Sequence, residues 1–186
     1  MAGEGSPLTD AWSLHFSERS SARARAQSFE EQVKEVGNFS EVRSFWEHFS
    51  HLAPAGELPV VSDYHLFKQG IKPMWEDAAN EKGGKWIVRL RKGLASRFWE
   101  KLVIAMIGDQ FDVGDEICGA VISIRYREDI VSVWNKSAHK KDVTQKIKRT
   151  MQKVLELPAD CVMEYKAHND SLRDKSSFRN TDVFRT

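Results

Sequence analysis

Cysteine is nearly missing from this chain: Cys118 and Cys161 are its two copies in 186 residues. A disulfide framework is therefore excluded, and two cysteines inside apolar, strand-like runs read as free buried thiols of a reducing compartment. That points to the cytoplasm, with the nucleus as a second open location. Long apolar runs are missing as well. None approaches the roughly 18 residues that a spanning helix needs, so no membrane segment is expected. The start, Met1-Ala2-Gly3-Glu4-Gly5-Ser6, lacks the basic-then-apolar pattern of a secretory leader. An excess of one charge is also lacking, since 28 Lys and Arg against 27 Asp and Glu leave a net charge of +1. No bulk field recruits nucleic acid, and any anion site must come from local clustering.

Signs of catalysis are equally sparse. His48 and His51 stand at i, i+3 with His65 further on, but no cysteine or nearby carboxylate completes a metal set. Gly83-Gly84 lacks the spacing and the Lys-Ser/Thr pair of a phosphate loop and reads as a turn. No serine, cysteine or histidine arrangement suggests a nucleophile. No metal, cofactor or enzymatic activity is expected.

What is present is an ordinary folding chain, 41% apolar and 30% charged, long enough for one domain spanning residues 1–186. Residues 17–28 are small and polar and read as a mobile loop, and residues 172–186 as a loose tail. Three helices are predicted. The first starts at an N-cap, Ser40, carries the stripe Val42, Phe45, Phe49, Leu52, and ends before Pro54. The second spans Ser96 to Ile107, with Phe98, Leu102, Ala105 and Met106 inward and Gly108 at its end. The third spans Asp142 to Leu155, with Val143, Ile147, Met151, Val154 and Leu155 on one side. Most of the basic residues after 135 (Lys136, Lys140, Lys141, Lys146, Lys148, Arg149, Lys153) then form a solvated face. Strands are expected at Trp12–Phe16, Tyr64–Lys68, Lys85–Leu90, Cys118–Arg127, Ile130–Asn135 and Cys161–Lys166. The fold class is α+β: one curved antiparallel sheet with three helices on its convex face.

Glu128-Asp129 reads as the turn of a hairpin, which sets Arg127 opposite Ile130. One face then carries Ala120, Ile122, Ile124, Tyr126, Val131 and Val133 and belongs to the core. The other carries Ser123, Arg125, Arg127, Ile130, Ser132 and Trp134. In Lys85–Leu90, Trp86, Val88 and Leu90 point one way, Lys85 and Arg89 the other. A sheet with one buried face thus presents basic residues and a tryptophan on its opposite side.

Six tryptophans are a large number for this length. Trp75 lies in Ile71-Lys72-Pro73-Met74-Trp75-Glu76-Asp77, where Pro73 enforces an irregular loop. From this segment alone, Trp75 could plug the edge of the core or meet a ligand. Beside it, Glu76 can accept two hydrogens from adjacent donors, such as N1–H and N2–H₂ of guanine. An aromatic platform stacks on a base, more strongly if the base is cationic. Basic residues beyond would take phosphates. A cationic guanine carrying phosphates is the 7-methylguanosine cap of mRNA.

The stretches Phe67–Asp77, Gly83-Gly84-Lys85-Trp86 and Ile117-Cys118-Gly119-Ala120-Val121 resemble the cap-binding family of translation initiation factor 4E. Within it they most resemble the class II branch of the 4E homologous protein and the plant novel cap-binding protein. The similarity runs from about Pro7 to Arg179. It implies that Trp75 is one wall of an aromatic sandwich, Glu76 holds the guanine edge, Trp134 meets the N7 methyl group, and Arg125 and Lys85 take phosphate. Arg173 would line the path of the later phosphates or the next nucleotide. Phe29 stands where the main branch has a tryptophan as second wall, and Ile130 where it has a phosphate-binding lysine. Both departures imply a weaker grip on the cap. The resemblance also implies a partner site formed by Pro7, Val42, Trp46 and the helix around Trp99. It would receive a Tyr-x-x-x-x-Leu-Φ helix from a scaffold, repressor or transporter protein. The expected function is binding of capped mRNA and of such a helix in translation initiation or its regulation. A repressor that competes with the main initiation factor is the alternative. A cap-processing hydrolase would need a run of metal-binding carboxylates, which this sequence lacks.

Overall fold

A computed structural model describes residues 5–19, 27–174 and 182–184. Strands β1 (Pro7–Glu18), β2 (Lys34–Glu41), β3 (Ser62–Lys68), β4 (Gly84–Leu90), β5 (Ile117–Ile124), β6 (Asp129–Asn135), β7 (Met163–Ala167) and β8 (Asp182–Phe184) form one sheet. Its order is β2-β1-β3-β5-β6-β4-β7-β8, and every neighbouring pair is antiparallel. The helices are α1 (Phe29–Gln32), α2 (Val42–Phe49), α3 (Ala95–Ile107), α4 (Lys141–Val154) and α5 (His168–Asp174). None is long and apolar enough to cross a membrane.

Alternation along the strands divides the sheet into two faces. Trp12, Leu14, Tyr64, Leu66, Trp86, Val88, Ala120, Ile122, Val131 and Val133 join Phe45, Trp99, Leu102, Ile147 and Met151 of the helices in the main core. Trp86 Nε1 donates to the carbonyl of Thr144 at 2.7 Å, docking α4 on β4. On the opposite face a second, small cluster forms from Phe67, Cys118, Val121 and Trp134, with Ile71 and Trp75 packed against it.

The three long helices fall where their periodicity places them, but the ends differ. Ser40 belongs to β2, and Glu41, with no side-chain cap bond, takes the N-cap of α2. That helix stops at Phe49, short of Leu52. Strand β2 escapes sequence reading because it is a solvated edge in which only Phe39 is buried. The loop expected over 17–28 is shorter, since Ser17 and Glu18 extend β1; residues 20–26 lie outside the described residues. The expected loose tail also contracts. Leu172 and Arg173 sit in α5, and Asp182–Phe184 pair with β7, while 175–181 and 185–186 lie outside the described residues.

The hairpin needs a register correction. Ile130 faces Ser123 rather than Arg127, so the connection is the four-residue loop 125–128. The slip is an even number of residues, which leaves every strand side chain on its predicted face. Tyr126 alone changes fate: instead of joining the core it stands 80% exposed in the loop. The basic side of α4 is also less open than expected. Lys136, Lys140 and Lys146 pair with Asp115, Glu116 and Asp112, and Lys148 is buried over the Trp86 ring.

Candidate functional site

The face opposite the long helices carries a cavity of about 540 Å³ lined by Phe29, Trp75, Glu76, Lys85, Arg125 and Trp134 among others. Six of the seven residues expected around a cap ligand thus share one concavity. Arg173, the seventh, does not line it: it is exposed on α5, with Asp170 3.9 Å away.

The Trp75 loop leaves the end of β3 and is stitched from below. Lys72 N–H donates to Asp77 Oδ2 at 3.0 Å, and Ala79 N–H to Asp77 Oδ1 at 2.9 Å. Buried Asn80 donates through Nδ2 to the carbonyls of Lys72 at 2.8 Å and Met74 at 2.7 Å. An irregular segment gains fixed geometry when its carbonyls are satisfied in this way. Trp75 is therefore held half-buried, and Glu76 projects into solvent.

Phe29 opens α1, a single turn closed by a capping box. Glu31 N–H donates to Ser28 Oγ at 3.3 Å, and Ser28 N–H to Glu31 Oε2 at 2.8 Å. The ring meets His65 edge-on at 6.1 Å and lies 5.0 Å beneath the guanidinium of Arg19. Lys72 reaches Glu30 at 2.7 Å and ties the Phe29 turn to the Trp75 loop. That pair is solvated and worth little in stability. Burial pushes the His65 imidazole down to about 4, so it is neutral at physiological pH. Its Nε2 bonds with Ser17 Oγ at 3.0 Å.

At the far end of β3, Asp63 fixes the cation. Arg125 Nη2 donates to Asp63 Oδ1 at 2.8 Å, and Nη1 to the carbonyls of Ser62 at 3.1 Å and Ile124 at 3.0 Å. Ser123 Oγ donates to the same carboxylate oxygen. The guanidinium is held at the cavity wall with part of its surface open, a pre-set anion ligand.

Trp134 is buried rather than open. Phe67 packs edge-on at 5.3 Å, His168 lies 4.3 Å away, and Lys85 Nζ is 5.4 Å from the ring centre. Gly119 makes this possible, because a Cβ there would meet the Phe67 ring at 2.5 Å. Lys85 is buried too, against the expected open basic face, and stands opposite Lys166 across β4 and β7. Burial first, and the Lys166 charge second, push the Lys85 ammonium down to about 7. Burial lowers His168 to about 3, leaving a neutral ring against Trp134.

On the helix side of the molecule, Trp46 is 45% exposed and Val42 39% exposed, with Pro7 also at the surface. Trp46 packs edge-on against Phe45 at 4.8 Å and Phe49 at 6.1 Å, which fixes its ring while leaving half of it bare. Trp99 is different. At 2% exposure it belongs to the core, so no partner can touch it; Arg97, Glu100 and Ile104 are the residues α3 turns outward.

A family model described as "Eukaryotic initiation factor 4E" matches residues 7–183. The chain belongs to the eukaryotic initiation factor 4E family. Among this family, the eukaryotic translation initiation factor NCBP of Oryza sativa subsp. japonica is 46% identical over 175 residues, covering 94% of this chain and 77% of the relative. The eukaryotic translation initiation factor 4E-4 of Caenorhabditis elegans is 47% identical over 174 residues, covering 94% and 82%. A solved complex of C. elegans eIF4E-3 with the 4E-binding protein Mextli and a cap analog superposes with TM-score 0.86 at 38% identity, covering 91% of this chain and 96% of that one. Ascaris suum eIF4E-3 with m7G cap gives 0.86 at 35% identity over 98% and 99%.

Within the initiation factor 4E frame, three contributors went unread in the sequence. Asn80 stitches the Trp75 loop, Asp63 aims Arg125, and His65 abuts Phe29. Asp63 and His65 had a signal, because alternation along Ser62–Lys68 places both on the face shared with Phe67. Asn80 had none, since its role depends on how the loop folds back.

Proposed function

We propose that this cavity binds the 7-methylguanosine 5′ cap of mRNA, that the helix side receives a partner helix, and that the protein acts in translation initiation or its regulation in the cytoplasm. The observation that carries the reading is the juxtaposition, in one cavity, of half-buried Trp75, exposed Glu76 and the fixed Arg125 guanidinium. Trp75 stacks on the cationic base and Glu76 accepts from its N1 and N2 donors. Phe29 closes the other side. Trp134 sits beneath the N7 methyl group, and Arg125 and Lys85 take the phosphates. Relatives solved with a cap analog and with m7G cap support this.

The site is suited to binding without chemistry. Ser123 Oγ is committed to Asp63, and burial pushes the Cys118 thiol up to about 12, so neither serves as a nucleophile. Buried Ile130 lines the phosphate side where a lysine would add charge. With Phe29 in the stacking wall, this favours a modest grip and, as a second reading, a competitor of the main initiation factor. Retention on 7-methyl-GTP resin, elution by 7-methyl-GTP but not GTP, and identification of the co-eluting proteins test both readings.

Phe29→Trp enlarges the stacking face and tightens 7-methyl-GTP binding by roughly 1 kcal/mol. Titration calorimetry showing no gain would remove Phe29 from the site.

Lys85 makes binding pH-dependent. Its folded pKa lies below the ordinary lysine value, so the charged form costs stability below about 7. That cost is relieved as pH rises from 7 towards the unfolded value. A bound phosphate favours the charged form, so binding above pH 7 takes up a proton and affinity falls, by at most about tenfold per pH unit. Lys85→Arg keeps its charge and removes this part of the fall between pH 7 and 9, leaving the part that comes from loss of the N1 proton of the methylated guanine. Identical profiles for the two proteins would mean that Lys85 does not meet phosphate.

A further inference from the structure

The loop joining β5 to β6 is Arg125-Tyr126-Arg127-Glu128, with none of the glycine, asparagine or proline that usually makes a hairpin turn. It is nonetheless clamped at both ends. Lys92 Nζ donates to the Arg125 carbonyl at 2.9 Å and to Asp129 Oδ1 at 2.6 Å, and Arg125 N–H donates to the same Asp129 oxygen at 3.3 Å. Glu128 is paired with Arg89. On this fixed tip Tyr126 is 80% exposed, and neither its ring nor its hydroxyl has a partner among the described residues. Arg127, next in the chain, is exposed as well. A large aromatic held bare on an anchored turn contributes nothing to the core, and its flanking cations suit an anionic ligand.

The direction of the cavity says which ligand. Trp75 follows the C-terminal end of β3, whereas Arg125 bonds to Ser62 and Asp63 at its N-terminal end. A nucleotide with its base on Trp75 and its phosphates at Arg125 runs along β3 towards residues 126 and 127. We propose that Tyr126 is a stacking platform for the base of the first transcribed nucleotide of capped RNA, and that Arg127 contacts the phosphate that follows. Aromatic stacking plus a neighbouring cation is how single-stranded RNA is held without reading its sequence. The assignment rests on the cap-binding reading and extends its site by one nucleotide.

The test is calorimetric titration of wild type, Tyr126→Ala and Tyr126→Trp with 7-methyl-GTP and with the capped dinucleotide 7-methylguanosine-triphosphate-adenosine. Tyr126→Ala should weaken the dinucleotide roughly fivefold or more and leave 7-methyl-GTP unchanged, while Tyr126→Trp restores dinucleotide binding. Equal loss for both ligands would mean that the ring merely supports the Arg125 turn, and the proposal falls. No loss for either would assign the ring to something other than RNA, a protein included, and the proposal falls again. A wild type that binds neither ligand would defeat the cap reading itself, a separate outcome.

Discussion

Trp75→Ala loses roughly a hundredfold in affinity for 7-methyl-GTP, because base–aromatic stacking and the cationic bonus together supply about 2–4 kcal/mol. The tryptophan is only half-buried, packed on the edge of the small Phe67, Cys118, Val121 and Trp134 cluster. Stability therefore falls by only about 1–2 kcal/mol, the share of its apolar area now covered. Asn80 and Asp77 hold the loop through backbone groups and do not depend on the Trp75 side chain. Trp75→Phe should retain part of the affinity, as a smaller ring in the same place. Equilibrium titration beside a melting curve separates the two effects. A variant that loses stability but keeps its affinity would return Trp75 to the role of core plug.

Trp46→Ala removes binding of a Tyr-x-x-x-x-Leu-Φ helix, a loss of about 2–4 kcal/mol as for a central interface aromatic. Cap binding stays intact, since α2 packs on the sheet face opposite the cavity. The bare half of the ring is the proposed contact, and the covered half, against Phe45 and Phe49, keeps it in one orientation. Trp99→Ala behaves differently: it opens a hole in the main core and costs about 3–5 kcal/mol of stability. Measuring peptide binding and cap binding on the same Trp46→Ala sample is decisive. Joint loss would show that Trp46 supports the fold rather than a partner.

The sheet with helices on one side was legible because its signals are local. Apolar stripes at helical spacing and alternation in Lys85–Leu90 or Ile130–Asn135 each state which face is buried. Register was not legible to better than the turn. Two acids looked like a two-residue hairpin loop, whereas Asp129 is an internal anchor for Lys92 and Arg125. Because the slip was even, Ser123, Ser132 and Trp134 kept their face, and only Tyr126 was misplaced. The edge strand β2 and the burial of Lys85 and Trp134 were invisible for a related reason. What covers a residue from a distant element, such as His168 over Trp134, leaves no periodic trace. Trp99 shows the converse. The family resemblance set it in the partner site, but rotation about the helix axis turns it inward and Ile104 outward.

The central claim is that Trp75 stacks on a guanine made cationic by methylation. Titrating the intrinsic tryptophan fluorescence of the wild-type protein with 7-methyl-GTP and, separately, with GTP tests it most directly. Saturable quenching by 7-methyl-GTP, with GTP weaker by roughly thirtyfold or more, is the predicted result. Quenching by neither, or by both alike, would contradict it.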